Sequence, residues 1–115
     1  MATLDHCKLD VSHRALDLLD RVDQIHEAMP PGRAHLKDQL DRAATSVVLN
    51  TAEGAGELSW DEKQRFYRMA RRSATETAAI LDILDRRNAV DAAMIERARE
   101  LLIRVVSMLA RLASA

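Results

Sequence analysis

Cysteine, proline, glycine and aromatic residues are all scarce in this chain of 115 residues. A single cysteine, Cys7, excludes an intrachain disulfide and is typical of a reducing compartment. Two prolines and three glycines are too few turn-forming residues for a many-stranded sandwich or barrel. A net charge of −1 leaves no overall field that would hold nucleic acid or an anionic membrane. Residues 1–10 lack the apolar segment of a signal peptide and no apolar run could span a bilayer, so we expect a cytoplasmic protein without membrane contact.

Hydrophobic residues make up 48% of the chain and charged residues 30%, which indicates a single globular domain over residues 1–115. Four stretches place apolar residues alternately three and four positions apart, the spacing that aligns side chains on one face of an α-helix. We expect these four stripes to face a common core: Val11, Ala15, Leu18, Val22, Ile25 and Met29; Leu36, Leu40, Ala43, Val47, Asn50 and Gly54; Phe66, Ala70, Ser73, Thr77, Ile80 and Leu84; Met94, Ala98, Leu101, Val105, Met108 and Leu112.

Local signals between the stripes predict helices over about 11–29, 34–54, 60–87 and 92–113, with residues 1–9 as a short arm. The Pro30-Pro31-Gly32 run ends the first helix, and Ser59 with Glu62 forms a capping box for the third. Asp10 and Asp91 are candidate N-caps. Because the connections are short, neighbouring helices should run antiparallel. The sequence therefore predicts an all-α fold, an antiparallel up-down-up-down four-helix bundle.

Residues that would carry catalysis do not form a recognisable set. The four histidines have no partners at metal-ligand spacing, and the only glycine pair, Gly54 and Gly56, ends a helix where a phosphate loop would begin one. Glu53 and Glu76 could be read as a carboxylate pair, but no nucleophile or cofactor loop accompanies them. We therefore expect no enzymatic activity, no metal and no cofactor.

Polar residues interrupt the stripes of the second and third helices. A buried polar group without a partner costs about 1–3 kcal/mol, so these residues should bond to one another. The two interpretations are a network that sets the register of the helices, which we favour, and a small-ligand site between them. Within the network we expect an Arg42–Glu76 contact, and hence a loss of stability in Glu76→Ala. The full set is Arg42, Ser46, Asn50, Glu53, Gly54, Ser73 and Glu76.

A basic stretch begins near the start of the third helix. Its arginines, Arg65, Arg68, Arg71 and Arg72, lie close to Trp60 and Tyr67, a mixture typical of surfaces that bind single-stranded nucleic acid. The alternative is a solvated helix face paired with acids of the first helix, namely Asp17, Asp20 and Asp23.

The fourth helix carries more apolar residues than one stripe needs. Surplus apolar surface usually marks an interface, so we expect a homo-oligomer. The alternative is a wide stripe that faces the core of one subunit. The candidate interface residues are Ile95, Leu102, Ile103, Val106 and Leu109.

Two runs of the sequence resemble the paired motifs of a known family. The run from Arg42 to Gly54 reads R-A-A-T-S-V-V-L-N-T-A-E-G and resembles R-x-A-x-S-I-x-x-N-I-A-E-G. The run from Phe66 to Glu76 resembles F-Y-x-x-A-x-x-S-x-x-E, and the opening Lys8-Leu9-Asp10-Val11 also fits. The departures are Thr51, where isoleucine is usual, and Arg72, where glycine is common. Together these residues resemble the small proteins encoded by intervening sequences in bacterial 23S ribosomal RNA genes.

The resemblance implies a four-helix bundle that assembles into a ring, with a pentamer as the expected form, and implies no particular activity. A more distant similarity connects the chain with the accessory variability protein of diversity-generating retroelements, a ring-forming partner of a reverse transcriptase that binds nucleic acid. We therefore expect a non-enzymatic, oligomeric binding or scaffold protein that contacts RNA or a nucleic-acid-processing protein. The alternative is a protein-only oligomeric adaptor with no nucleic-acid contact.

Overall fold

Four α-helices make up almost the whole molecule. A computed structural model describes the backbone of residues 2–114, and the side chains of Lys8 and of residues 10–114. The helices are α1 (Ala2–Ala28), α2 (Ala34–Gly56), α3 (Trp60–Arg86) and α4 (Ala92–Ser114), and no strand occurs between residues 2 and 114. The predicted all-α four-helix bundle is confirmed.

The helices form a bundle in which each contacts two neighbours along its length. Both α1 and α3 pack against α2 and α4, so α1 and α3 lie diagonally opposite each other. The short connections reverse the chain each time, which gives the up-down-up-down order. The bundle measures 47 × 22 × 18 Å along its principal axes. None of the helices described combines the length and apolar character needed to cross a membrane.

Local capping signals located two of the four helix starts, those of α3 and α4. The Ser59 hydroxyl accepts a hydrogen bond from the Glu62 amide at 3.4 Å, and the Asp91 carboxylate accepts one from the Ala93 amide at 3.1 Å. The first helix differs, because residues 2–9 of the predicted arm are helical and belong to α1 (Ala2–Ala28). Asp10 therefore lies inside α1, where it forms an ion pair with Arg14 at 3.5 Å and caps nothing.

The core uses the predicted stripe in α1 but a neighbouring one in α4. All six residues of the α1 stripe are buried. In α4 the shared positions Ala98, Val105 and Leu112 are buried, and the remaining core positions are one residue further along than predicted. These are Ile95, Leu102 and Leu109, whereas Met94, Leu101 and Met108 are half-buried.

This shift corrects the expected oligomer interface. Ile95, Leu102 and Leu109 are 0–4% exposed in the single chain, so the prediction that they are left for a second subunit to cover is wrong. The physical reason is that they complete the four-helix core themselves. Of the predicted interface residues, Ile103 is 66% exposed and Val106 is half-buried.

Candidate functional site on the α2–α3 face

The two motif runs meet where α2 and α3 pack together. The hydroxyl oxygens of Ser46 and Ser73 lie 2.8 Å apart and share a hydrogen bond between the helices. The Asn50 amide nitrogen donates to the Ser46 hydroxyl and to the Ser46 carbonyl oxygen, both at 2.9 Å. The structure therefore brings together Ser46, Asn50 and Ser73 from the predicted polar set.

The serine–asparagine network forms one wall of a cleft. This cleft has a volume of about 310 Å³ and is open to solvent along the α2–α3 seam. Its chemistry is mixed: the lining residues carry two hydroxyls, an amide, a thioether, a guanidinium and a carboxylate. The lining residues are Ser46, Asn50, Met69, Arg72, Ser73 and Glu76.

The charged members of the predicted network do not join it. Arg42, Glu53 and Glu76 are exposed, and within residues 10–114 none of them forms a hydrogen bond or an ion pair. The predicted Arg42–Glu76 contact is therefore wrong. The small Ser46–Ser73 pair joins the helices directly, and an exposed ion pair would add little stability to it. Glu76→Ala was expected to destabilise the fold because of this contact, and the structure gives no such reason.

Gly54 is buried against the ring of Tyr67 on α3. A Cβ atom at position 54 would lie 2.6 Å from Cε1 and 2.7 Å from Cδ1 of Tyr67, so only glycine fits without displacing the ring. Tyr67 is fully buried, and its hydroxyl has no hydrogen-bond partner in the described part of the chain. Burial raises the pKa of the Tyr67 phenol. Gly54 thus belongs to the packing of the site, in a role that spacing alone did not reveal.

Lys63 binds the end of α2. Its ammonium donates to the carbonyl oxygens of Gly54 at 2.9 Å and Ala55 at 3.5 Å. These carbonyls belong to the last turn of α2, where they lack partners within the helix and carry the negative end of its dipole. Lys63 therefore stabilises the α2–α3 corner.

The four predicted basic residues are all exposed on α3 but are not equivalent. Arg65 donates to both carboxylate oxygens of Glu62 at 2.9 and 3.0 Å, and its guanidinium lies 4.6 Å from the centre of the Phe66 ring. This hydrogen-bonded pair lowers the pKa of Glu62 and raises that of Arg65. Arg68, Arg71 and Arg72 have no acidic partner among the described side chains.

The alternative pairing of these arginines with acids of α1 is not found. None of Asp17, Asp20 and Asp23 contributes to an ion pair in the described part of the molecule. The reason is the topology, since α1 lies diagonally across the core from α3.

Arg99 is an interhelical residue that the sequence analysis missed. Its guanidinium bonds to Asp82 at 2.7 Å and Asp85 at 3.2 Å on α3, and to Glu96 at 2.8 Å on α4. These hydrogen bonds raise its pKa further above the ordinary arginine value. The i,i+3 spacing of Glu96 and Arg99 is a local signal for one of the three pairs, but the two α3 partners depend on how the helices align.

Two other features bear on chemistry. A larger groove of about 520 Å³ lies between α1 and α4, and its rim carries four arginines, Asp17, Asp20 and Glu100, so it presents both signs of charge. No group of three or more His, Cys, Asp or Glu side chains that could hold a metal ion occurs among those described.

Comparison with known proteins agrees with this architecture. The chain superposes on a crystal structure from Bacteroides thetaiotaomicron, described as a protein of unknown function from the S23 ribosomal protein family, with a TM-score of 0.86. That match covers 95% of this chain and 99% of the other, at 17% identity, and so speaks for the fold alone. No curated protein matches. The profile described as 23S rRNA-intervening sequence protein matches residues 7–111, and the chain belongs to that family.

Proposed function

We propose that this protein is a non-enzymatic binding module that contacts the phosphate backbone of RNA through Arg68, Arg71 and Arg72. The observation that carries the proposal is that these three guanidiniums are exposed on one helix without an acidic partner among the described residues. Arg65 and Arg99, by contrast, are each held by carboxylates. Unneutralised arginines are the groups that bind phosphate oxygens most effectively.

The spacing of the three arginines suits a chain of phosphates. Residues three and four apart on a helix have Cβ atoms about 5–6 Å apart. Arg71 and Arg72 are three and four residues after Arg68, so the three arginines form one compact cluster. A net charge of −1 for the whole chain means that the attraction must come from this cluster. Binding should therefore be weak in one subunit and strongly dependent on salt.

The test is binding of a structured RNA at several salt concentrations. Three phosphate contacts predict that log K falls with log salt with a slope of about −2 to −3. Arg68→Glu with Arg72→Glu should abolish binding, because two contacts become repulsive. The matched control is Arg86→Glu with Arg87→Glu, which makes the same charge change at the far, exposed end of the helix.

Retention of binding by the control and its loss in the Arg68/Arg72 variant would support the proposal. No retention of RNA by the wild-type protein at low salt would refute it and leave the protein-only adaptor. Equal loss in both double variants would refute the assignment to Arg68 and Arg72.

We also propose that the protein self-associates, in the ring that the family resemblance implies. Three large apolar side chains support this: Ile103, Leu49 and Leu58 are 66%, 60% and 98% exposed in the single chain. Light scattering should return a multiple of 12.9 kDa, five for a pentamer, and Ile103→Glu should reduce it. A wild-type mass of one chain at micromolar concentration would contradict this.

A further inference from the structure

Unused hydrogen-bonding groups remain in the α2–α3 cleft. Both N–H groups of the Asn50 amide donate to Ser46, and the bond to the carbonyl oxygen fixes which end of the amide is nitrogen, because a carbonyl can only accept. The Asn50 carbonyl oxygen, on a residue that lines the cleft, accepts no hydrogen bond from the described residues. Ser46 and Ser73 have two hydroxyl hydrogens between them and use one in their mutual bond, so one remains.

The cleft thus offers an acceptor and a donor side by side, with a second acceptor in the Glu76 carboxylate. A ligand that bonds to all three groups needs two N–H donors for the two acceptors and one acceptor for the serine hydroxyl. The edge of an aromatic ring or of an amide can carry such a set. An exocyclic amino group beside a ring nitrogen has this pattern, and it is found on cytosine and adenine. Uracil has a single ring N–H and a carbonyl oxygen in place of the amino group.

The remaining walls suit a flat ring. The guanidinium of Arg72 and the thioether of Met69 line the α3 side of the cleft, and both make favourable contacts with aromatic faces. Arg65 donates a hydrogen bond to the Met69 sulfur at 3.5 Å, which holds that side chain in place. A cleft of about 310 Å³ is at the small end of the range for ligand sites and has room for one ring system.

We propose that the α2–α3 cleft binds one unpaired nucleobase that carries an exocyclic amino group. This inference rests on the proposed RNA contact, because Arg72 belongs to both the cleft and the arginine cluster and so connects base to backbone. Asn50 and Glu76 accept from the amino group, and the serine pair donates to the ring nitrogen. Arg68, Arg71 and the N–H edge of Arg72, whose plane stacks on the base, bind the adjoining phosphates. A primary amide, such as the side chain of asparagine or glutamine, has a similar edge, but a polypeptide has no polyanionic backbone to engage those arginines.

The experiment compares three single strands of equal length: oligocytidylate, oligouridylate and an abasic strand. The wild-type protein should bind oligocytidylate about tenfold more tightly than the abasic strand, from stacking and hydrogen bonding, and about fivefold more tightly than oligouridylate. Cytosine and uracil differ at the amino group itself, which makes them a matched pair. Fluorescence anisotropy at low salt measures all three.

Two variants separate base binding from phosphate binding. Asn50→Ala should lower the affinity for oligocytidylate to that for oligouridylate while the salt slope stays unchanged. Glu76→Ala removes a negative charge, so all strands should bind as well or better while the preference for cytosine falls. Glu76 is exposed and without a described partner, so this variant should fold even if Asn50→Ala does not.

The outcomes distinguish this inference from the proposed function. Equal binding of all three strands that still depends on Arg68 and Arg72 would overturn the base site and leave the phosphate contact standing. Unchanged cytosine preference in Glu76→Ala would overturn the role of the amino group. No binding of any strand by the wild-type protein would overturn both proposals.

Discussion

Substitution of Gly54 by alanine tests the close packing of α2 against α3. The added methyl carbon would lie 2.6, 2.7 and 3.2 Å from Cε1, Cδ1 and Cζ of Tyr67, well inside van der Waals contact. Tyr67 is fully buried, so its ring is enclosed by the core and cannot move aside without displacing other side chains. Relief of the overlap must therefore push α2 and α3 apart near the Lys63 contact.

Two opposing terms set the size of the effect. Alanine is favoured over glycine in a helix by about 1 kcal/mol. Overpacking of a core costs about 1–3 kcal/mol, and contact with three atoms of an immobile ring indicates the upper part of that range. We expect Gly54→Ala to lower the free energy of unfolding by about 1–2 kcal/mol, which urea or thermal unfolding will measure.

Gly56→Ala is the matched control, because a Cβ there meets no atom within 4 Å. Gly56 lies at the end of the same helix, so the substitution gains part of the helix propensity of alanine but causes no overlap. The free energy of unfolding of this variant should be unchanged or raised by about 0.5 kcal/mol. A Gly54→Ala protein as stable as the wild type would refute the reasoning, since it would show that the α2–α3 contact yields without cost.

The remaining predictions concern Tyr67 and Arg99. Tyr67→Phe removes a buried hydroxyl without a described partner and should raise stability by about 1 kcal/mol; a clear loss would show that the hydroxyl is bonded. The raised pKa of Tyr67 means that above about pH 10 the unfolded chain loses its phenol proton first. Wild-type stability should therefore fall as pH rises in that range, and the fall should be smaller in Tyr67→Phe. Arg99→Leu should cost about 1 kcal/mol at low salt and less at high salt, measured by urea unfolding in both; a loss independent of salt would assign the effect to packing.

Helix number, type and most helix ends could be predicted from local sequence. The Ser59 and Asp91 caps act within three residues of themselves, so their chemistry is visible without the fold. Asp10 was wrongly read as a cap because an aspartate inside a helix and one at its start look alike when the preceding residues also favour helix. A stop such as Pro30-Pro31-Gly32 is a stronger signal, because proline excludes continuation and Gly32 adopts a left-handed φ of +92°.

The candidate site was predictable only in part. Polar residues on an apolar stripe had to find partners, and this led to Ser46, Asn50 and Ser73. Long charged side chains at the surface need no protein partner, because water forms hydrogen bonds with them. The predicted Arg42–Glu76 contact was wrong for that reason. The pairing of Gly54 with Tyr67 joins residues on two helices, and no property of either residue alone indicates the other.

The sequence by itself determined four amphipathic helices and the short turns between them, because spacing, caps and breakers act locally. It left open which of two overlapping stripes faces inward, since Met94 and Ile95 both continue the spacing that leads to Ala98. The packing of α4 against α1 and α3 buries Ile95, Leu102 and Leu109 in the core and leaves Ile103 exposed to solvent. Only the tertiary structure determines this choice. Burial depends on the directions in which neighbouring helices approach, and those directions are a property of the assembled bundle.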